Sequence, residues 1–429
     1  MKTKNILNKR TKYMFPLVEP YFKEPLYLIK ARGQFVYDNN NKKYLDAYSG
    51  VATVNFGHSC PEIIKAVIEQ IKMIQHTSLL FLTDPVVKLA EQLAKDTPEG
   101  LSKSFFLNSG SEAVEMAILL AKMYTHKSEI IAFQYGYHGC SSAANSVTGI
   151  KGWKNQATNM PGVIFVPAPY CYRCPLGLSF PQCNLKCAQK VEEAINNQSN
   201  NNVAALIAEP ILGVGGIIVP PEGYFKKVKK IIKRHKIVFI ADEIQTGMGR
   251  TGQSWGMENF NTIPDIMILG KGLGNGIPIS AIVASSKIAN KFKGKLFFST
   301  FGGNPISCIA ALKALKILKN ERYKQKVQQL GKWLKQELIK KSKNCHYVGE
   351  VRGKGLMIGI EIVQDKKNKK PNKELTILIQ EECKKRGVIL GRGGVYQNVI
   401  RIAPPLCINK SDAEKIVKVL LSSFKVYEK

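Results

Sequence analysis

Seven short apolar runs through the middle of the chain, each followed by turn residues and then a helical stretch, constrain the fold more than any other feature. The runs are Phe105–Leu107, Ile130–Phe133, Val163–Val166, Ala204–Ala208, Val238–Ala241, Ile266–Leu269 and Ala281–Ala284. They are continuous rather than alternating, the pattern of strands covered on both faces in a mostly parallel sheet. The segments between them agree. Ser111–Tyr124 is rich in Ala, Leu and Met, and in Tyr224–Lys236 the residues Val228, Ile231 and Ile232 recur at helical spacing while lysines take the other faces. The alternation predicts a large α/β domain over residues 56–305 with a seven-stranded sheet.

The flanks read differently. Gly33–Asp38 followed by Tyr44-Leu45-Asp46 is a strand–turn–strand pattern. After Pro305 come a long helical stretch to about Ser342, strand-like Gly355–Val363, a Lys- and Asn-rich loop at Lys366–Lys373, a helix near Glu374–Arg386 and strand-like Val399–Ile402. Residues 1–55 and 306–429 are thus expected to build one smaller, discontinuous α+β domain.

The 429 residues include 63 Lys+Arg against 32 Asp+Glu, a net charge of +31. A polyanion partner or a lysine-rich solvated surface would each explain the excess. Much of it lies in Lys226–Lys236 and Lys366–Lys373, and no nucleic-acid motif is present, so solvated surface is the plainer reading. No apolar run approaches the roughly 18 residues of a spanning helix. Met1 to Lys12 is basic without the apolar stretch of a secretory signal. Ten cysteines in such a chain are too few for a disulfide framework, so a reducing cytoplasm is expected, with a mitochondrial address kept open. Four of them cluster as C-x2-C-x8-C-x3-C at Cys171, Cys174, Cys183 and Cys187, within a Pro-rich loop. The count is compatible with zinc or an iron–sulfur cluster, but the spacing matches no standard zinc template, and free thiols are the plainer reading.

Ligands of open parallel sheets bind at the carboxyl ends of the strands. Asn108-Ser109-Gly110-Ser111-Glu112 follows the first run and opens a helix, a place suited to an anion. Asp242 ends one run, and Lys271, within Gly270-Lys271-Gly272, follows another. A lysine at an apolar sheet edge can have its pKa lowered and act as a nucleophile. The glycines Gly270, Gly272, Gly274 and Gly276 fit neither the dinucleotide nor the P-loop pattern, and no H-E-x-x-H occurs. Lysine, aspartate and anion site together fit pyridoxal phosphate, which needs a Schiff-base lysine, a carboxylate for the ring nitrogen and a phosphate cradle.

From about Pro20 to Ile416 the chain resembles the class III (omega) aminotransferases of the fold-type I family. The resemblance rests on Asn108–Ala113, Tyr137-His138-Gly139, Glu209-Pro210, Ala241–Gly247, Gly270-Lys271-Gly272 and Thr300–Pro305. It implies that Lys271 forms the Schiff base and Asp242 keeps the pyridine nitrogen protonated. Gly110 and Ser111 would cradle the phosphate, Tyr137 would stack on the ring, and Gln245 would approach the ring hydroxyl. His138 and Glu209 belong to the same cofactor-binding motifs. Thr300 matches a phosphate ligand donated by a neighbouring subunit, which implies a homodimer with shared active sites, a tetramer remaining open. Arg401 matches the arginine that grips a substrate carboxylate.

Three departures bear on the substrate. Val214 stands where ornithine- and 4-aminobutyrate-type members carry a glutamate that masks the arginine. Cys140 follows the His-Gly motif where many members have arginine, and Val51 replaces a tyrosine that helps hold ornithine. These features, with Val348–Glu361, Gly391-Arg392-Gly393 and Arg401–Pro404, are similar to the alanine–glyoxylate aminotransferase 2 type, also linked to 3-aminoisobutyrate–pyruvate transamination. The expectation is ping-pong transamination between alanine or a short β-amino acid and glyoxylate or pyruvate. The alternatives are a 4-aminobutyrate- or ornithine-type transaminase using 2-oxoglutarate and, in another class, a basic nucleic-acid-binding protein on a decayed enzyme fold.

Overall fold

The structure is a computed structural model and describes residues 2–154 and 159–428. The seven apolar runs form the strands Lys103–Leu107, Glu129–Phe133, Val163–Val166, Val203–Ala208, Val238–Asp242, Ile266–Leu269 and Ser280–Ala284. They make one sheet, in which Ser280–Ala284 runs antiparallel to both of its neighbours, Lys103–Leu107 and Ile266–Leu269, and the other pairings are parallel. Burial on both faces explains the unbroken apolar runs: all six residues of Val203–Ala208 are buried. Ile131, Phe133 and Leu206 pack into one core cluster and Ile130, Ala132 and Ile207 into another, one on each side of the sheet. The helix Gly110–Thr125 covers one side and Tyr224–Arg234 the other, burying Tyr224, Phe225, Val228, Ile231 and Ile232 while Lys226, Lys230 and Lys233 stay exposed.

Two four-stranded sheets flank this layer. In one, Leu28–Arg32, Phe35–Asp38 and Lys43–Asp46 form a meander, and Val388–Ile389 joins it in parallel from the other end of the chain. The other is Val348–Lys354, Met357–Ile362, Val399–Ile402 and Gly391–Gly393. The helical stretch after Pro305 is two helices, Pro305–Leu318 and Glu321–Lys341. Lys319 ends the first, and the Asn320 side chain caps the second by accepting the Arg322 N–H.

Arg250 ties the three regions together. It is fully buried and donates to the carbonyls of Leu356 and Pro404 and to Ser49 Oγ and Asn55 Oδ1. Among the described residues no carboxylate pairs with it, and burial pushes its pKa down to about 10. Nearby, Gly331 lets the helix Glu321–Lys341 press against the hairpin turn at Gly355. A Cβ at 331 would fall on the Gly355 carbonyl oxygen.

Gly331→Ala tests this contact. Helix propensity alone favours alanine by roughly 1 kcal/mol. Overlap with a backbone atom that cannot swing away should reverse the sign and cost about 1–3 kcal/mol. The expected result is a lower thermal unfolding midpoint; a raised midpoint would show that the two backbones separate freely.

Candidate active site

Five strand ends converge at the carboxyl edge of the central sheet. Behind Lys103–Leu107, Ser109 caps the helix Gly110–Thr125 in a reciprocal box: its Oγ accepts the Glu112 N–H, and Glu112 Oε2 accepts the N–H groups of Asn108 and Ser109. The N–H groups of Gly110 and Ser111 have no partner among the described residues, which leaves the first turn open to an anion. A Cβ on Gly110 would lie 2.7 Å from Ile244 Cδ1, so the turn passes close to the loop after Asp242 only because this residue is glycine.

Behind Glu129–Phe133 comes Tyr137-His138-Gly139, and behind Val203–Ala208 comes Glu209. Glu209 binds the two loops together, accepting the Tyr137 N–H at 2.9 Å and the Gly213 N–H at 2.8 Å. Asp242 ends the central strand, with Oδ2 2.7 Å from His138 Nδ1 and Oδ1 accepting the Ile244 N–H. Both side chains of this pair are buried, and His138 Nε2 is buried without a partner among the described residues. Lys271 follows Ile266–Leu269 with φ at +43°, a conformation that non-glycine residues seldom adopt and that clusters at functional sites.

Gly110, Ser111, Tyr137, His138, Glu209, Asp242, Gln245 and Lys271 line one cavity of about 250 Å³. Gly139 and Ile244, which the motif reading had not assigned, complete its wall. Arg401 is 2 % exposed and reaches this group through Gln245, whose Oε1 accepts from Nη2 at 2.6 Å. Its Nη1 donates to the hydroxyl of Tyr48 at 3.1 Å. Tyr48 carried no motif; its sequence signal is limited to the aromatic-then-Ser-Gly step before Val51. Thr300 lies elsewhere: it is exposed, in a segment with exposed Leu296, Phe297, Phe298 and Phe301. Cys140 lies beside the helix start, its N–H donating to Ser111 Oγ at 3.0 Å.

Burial sets the electrostatics. Desolvation pushes the Lys271 pKa down; Asp242 and Glu209 pull it back up, and Arg401 lowers it further. Desolvation also raises Glu209 to about 7, with Asp242 adding to the rise and His138 and the two backbone N–H groups opposing it. Tyr137 is raised by burial and then by Cys140, Glu209 and Asp242.

A phosphate-bearing ring cofactor has what it needs here. The helix start has two unspent N–H donors, a buried carboxylate is held by a histidine, and a lysine in the same cavity has a depressed pKa. The fold and cavity together suit an enzyme that works through bound pyridoxal phosphate. The chain belongs to the class III aminotransferases, whose family model matches residues 20–423. It is 38% identical to the Arabidopsis thaliana alanine–glyoxylate aminotransferase 2 homolog 2, mitochondrial, over 97% of this chain and 86% of that protein. It is 35% identical to human alanine–glyoxylate aminotransferase 2, mitochondrial, over 97% of this chain and 85% of that protein. Among solved structures, an aminotransferase of Bacillus anthracis superposes with a TM-score of 0.93 at 32% identity, covering 99% of both chains. An amine transaminase from an uncultivated Pseudomonas species, in its PLP-bound form, gives 0.91 at 29% identity, covering 97% of this chain and 98% of that one.

The cysteine loop packs beside the site rather than in it. Tyr170 and Arg173 both donate to Glu361. All ten cysteines are free, and among the described residues no group of three or more His, Cys, Asp or Glu is arranged to hold a metal ion. Among the described residues no helix is long and apolar enough to cross a membrane.

The raised Glu209 gives a pH prediction. Its folded pKa, about 7, lies above the ordinary glutamate value of 4.5, so the folded state holds this proton more tightly. Its contribution to stability is full below about 4.5 and lost as pH rises through about 7. Glu209→Gln forfeits one backbone acceptor at every pH but removes this slope. The fall in apoprotein unfolding midpoint between pH 5 and 7.5 should therefore be shallower than in wild type; an equal slope would place the proton elsewhere.

Proposed function

We propose that this aminotransferase moves an amino group between alanine, or a short β-amino acid, and glyoxylate or pyruvate. The observation that carries the reading is Arg401, a buried cation beside the cavity that no carboxylate among the described residues pairs with. An unpaired buried charge is costly, and a substrate carboxylate relieves it. Val214, where a masking glutamate would stand, leaves the arginine to the substrate. The Arabidopsis and human relatives carry alanine and glyoxylate in their names, which supports this pair of substrates.

Bound pyridoxal phosphate supplies the electron sink that lets a bond at the amino-bearing carbon break. The chain's residues do the rest. Gly110 and Ser111 would take the phosphate at the helix start, Tyr137 would cover the ring, and Gln245 would face its hydroxyl. Asp242, held by His138, would keep the ring nitrogen protonated, while Glu209 fixes the two loops that carry Tyr137 and Gly213. Lys271 would carry the cofactor through Nζ. When displaced by the donor, its Nζ, whose pKa burial lowers, would take a proton from the substrate carbon and return it. Arg401 would orient the carboxylate through its planar fork. Donor and acceptor share these residues, so the kinetics are ping-pong.

The assembly in this reading is a homodimer. Leu80, Phe81 and Leu82 are exposed, as are Leu296, Phe298 and Phe301, and the rings of His76 and Phe301 lie 4.9 Å apart, joining the two segments into one apolar surface. Such a patch marks an interaction site, and Thr300 within it would complete the partner's phosphate site. We take residues 56–305 as the large domain, with 1–55 and 306–429 as the small one. The free thiols suit a reducing compartment; the reading is cytoplasmic, with a mitochondrial address as the alternative that the names of the Arabidopsis and human relatives support.

Three measurements test this. Reconstituted wild type should show a visible absorbance band that Lys271→Ala lacks; a band retained in the variant would remove Lys271 from its role. In a donor-by-acceptor panel, alanine or 3-aminoisobutyrate with glyoxylate or pyruvate should exceed ornithine with 2-oxoglutarate by roughly tenfold or more in kcat/KM. The reverse order would transfer the enzyme to the ornithine type. Sedimentation should give at least twice the 47.7 kDa chain mass, and a fully active monomer would defeat the shared-site reading.

A further inference from the structure

The surroundings of Arg401 carry an inference that rests on the carboxylate-binding reading above and goes beyond it. The guanidinium is held by two neutral acceptors, Gln245 Oε1 at 2.6 Å and the Tyr48 hydroxyl at 3.1 Å, with the Tyr48 ring 5.3 Å from its centre. A guanidinium only donates, so the Gln245 oxygen must face it and the amide nitrogen must turn away. Two of its five N–H groups are spent. Nε is buried and has no partner among the described residues. Enough donors remain for a bidentate carboxylate to bind without breaking either contact.

Both acceptors are built into place. A Cβ on Gly213 would overlap the Gln245 amide, so the side chain reaches Arg401 only beside a glycine. Tyr48 precedes a left-handed turn in which Ser49, Gly50, Val51 and Ala52 have φ of +48°, +60°, +69° and +57°. Such backbone, with a β-branched residue inside it, persists only where the surroundings over-determine it. Here Asp46 Oδ1 accepts the N–H groups of Tyr48 and Ser49, and Ser49 Oγ donates to the Ala403 carbonyl, two residues from Arg401. Tyr21 stacks on Tyr48 from outside, with ring centroids 5.9 Å apart and planes 8° from parallel.

We propose that Tyr48 and Gln245 are positioning residues that hold the Arg401 fork through neutral contacts, so that the enzyme selects amino donors bearing a carboxylate over plain amines. Neutral acceptors leave the full positive charge for the substrate, whereas a carboxylate at either position would cancel it. The fork needs no swing between half-reactions. A donor without a carboxylate leaves a buried cation uncompensated, which penalises it.

The test uses holoenzyme, propionate as a probe in titration calorimetry, and kcat/KM for alanine against 1-phenylethylamine with pyruvate as acceptor. Gln245→Glu should weaken propionate roughly tenfold or more and shift donor preference toward the amine by a similar factor. Tyr48→Phe, which keeps the ring stack, should weaken propionate roughly threefold or more and raise KM for alanine more than it lowers kcat. It also keeps the test decisive if Gln245→Glu fails to load cofactor. Propionate bound within about twofold of wild type by every loaded variant overturns the proposal. Propionate bound equally by wild type and Arg401→Ala overturns the underlying assignment of Arg401 instead.

Discussion

A buried carboxylate at the end of the central strand organises this molecule. Asp242 is 3 % exposed, and a charge so placed is tolerated only with partners. His138 and the Ile244 N–H supply them, and each comes from a different segment of the sheet edge. To bring His138 within 2.7 Å, the loop after Glu129–Phe133 must fold back over the strand end, and Glu209 locks it there through the Tyr137 N–H. Lys271 then feels Asp242, Glu209 and Arg401, and Glu209 feels Asp242, around one small cavity. A parallel sheet makes this feasible because its strand ends stand side by side and each loop delivers one group.

The peripheral sheets are held to that edge by polar contacts of the same sort. Arg250 hydrogen-bonds the N-terminal loop at Ser49 and Asn55, the hairpin at Leu356 and the segment at Pro404. Arg352 and Arg173 meet on Glu361, which also accepts from Tyr170 and Asn398; burial alone would raise this carboxylate, but Arg352 and the Tyr170 and Asn398 hydrogen bonds hold it below its usual range. Arg401, Tyr48 and the central cavity thus belong to parts of the chain far apart in sequence but bound into one frame.

How much of this could be read beforehand follows from what each element buries. The seven central strands were legible to within two residues because burial on both faces writes itself as a continuous apolar run. Val348–Lys354 escaped as a strand because its polar residues, Glu350 and Arg352, are satisfied by pairing with each other and with Glu361 rather than by solvent. The break at Lys319 and Asn320 was hidden because apolar spacing continues across it. Lys271, Asp242, Gly110 and Ser111 were singled out behind apolar runs, and one cavity brings the four together because parallel strands end side by side. Tyr48 was not: its role depends on a left-handed turn and on Arg401 arriving from 353 positions away.

The large positive charge and the chemistry are separate matters, and the electrostatics of Lys271 show why. Its pKa falls first through burial, and among the described residues Arg401, itself buried, is the one cation that adds to the fall. Lys226, Lys230 and Lys233 and the lysines of Lys366–Lys370 lie exposed in solvent, where charges more than about 8–10 Å apart are screened. Surface lysines can be numerous precisely where they are cheap, in water, without altering the cavity. Among the described residues the buried arginines are few and individually accounted for: Arg250 by backbone carbonyls and neutral side chains, Arg352 by two glutamates, and Arg401 by a tyrosine and a glutamine that leave its charge unspent. Of these three, Arg401 alone reaches the cavity, through Gln245, with donors to spare.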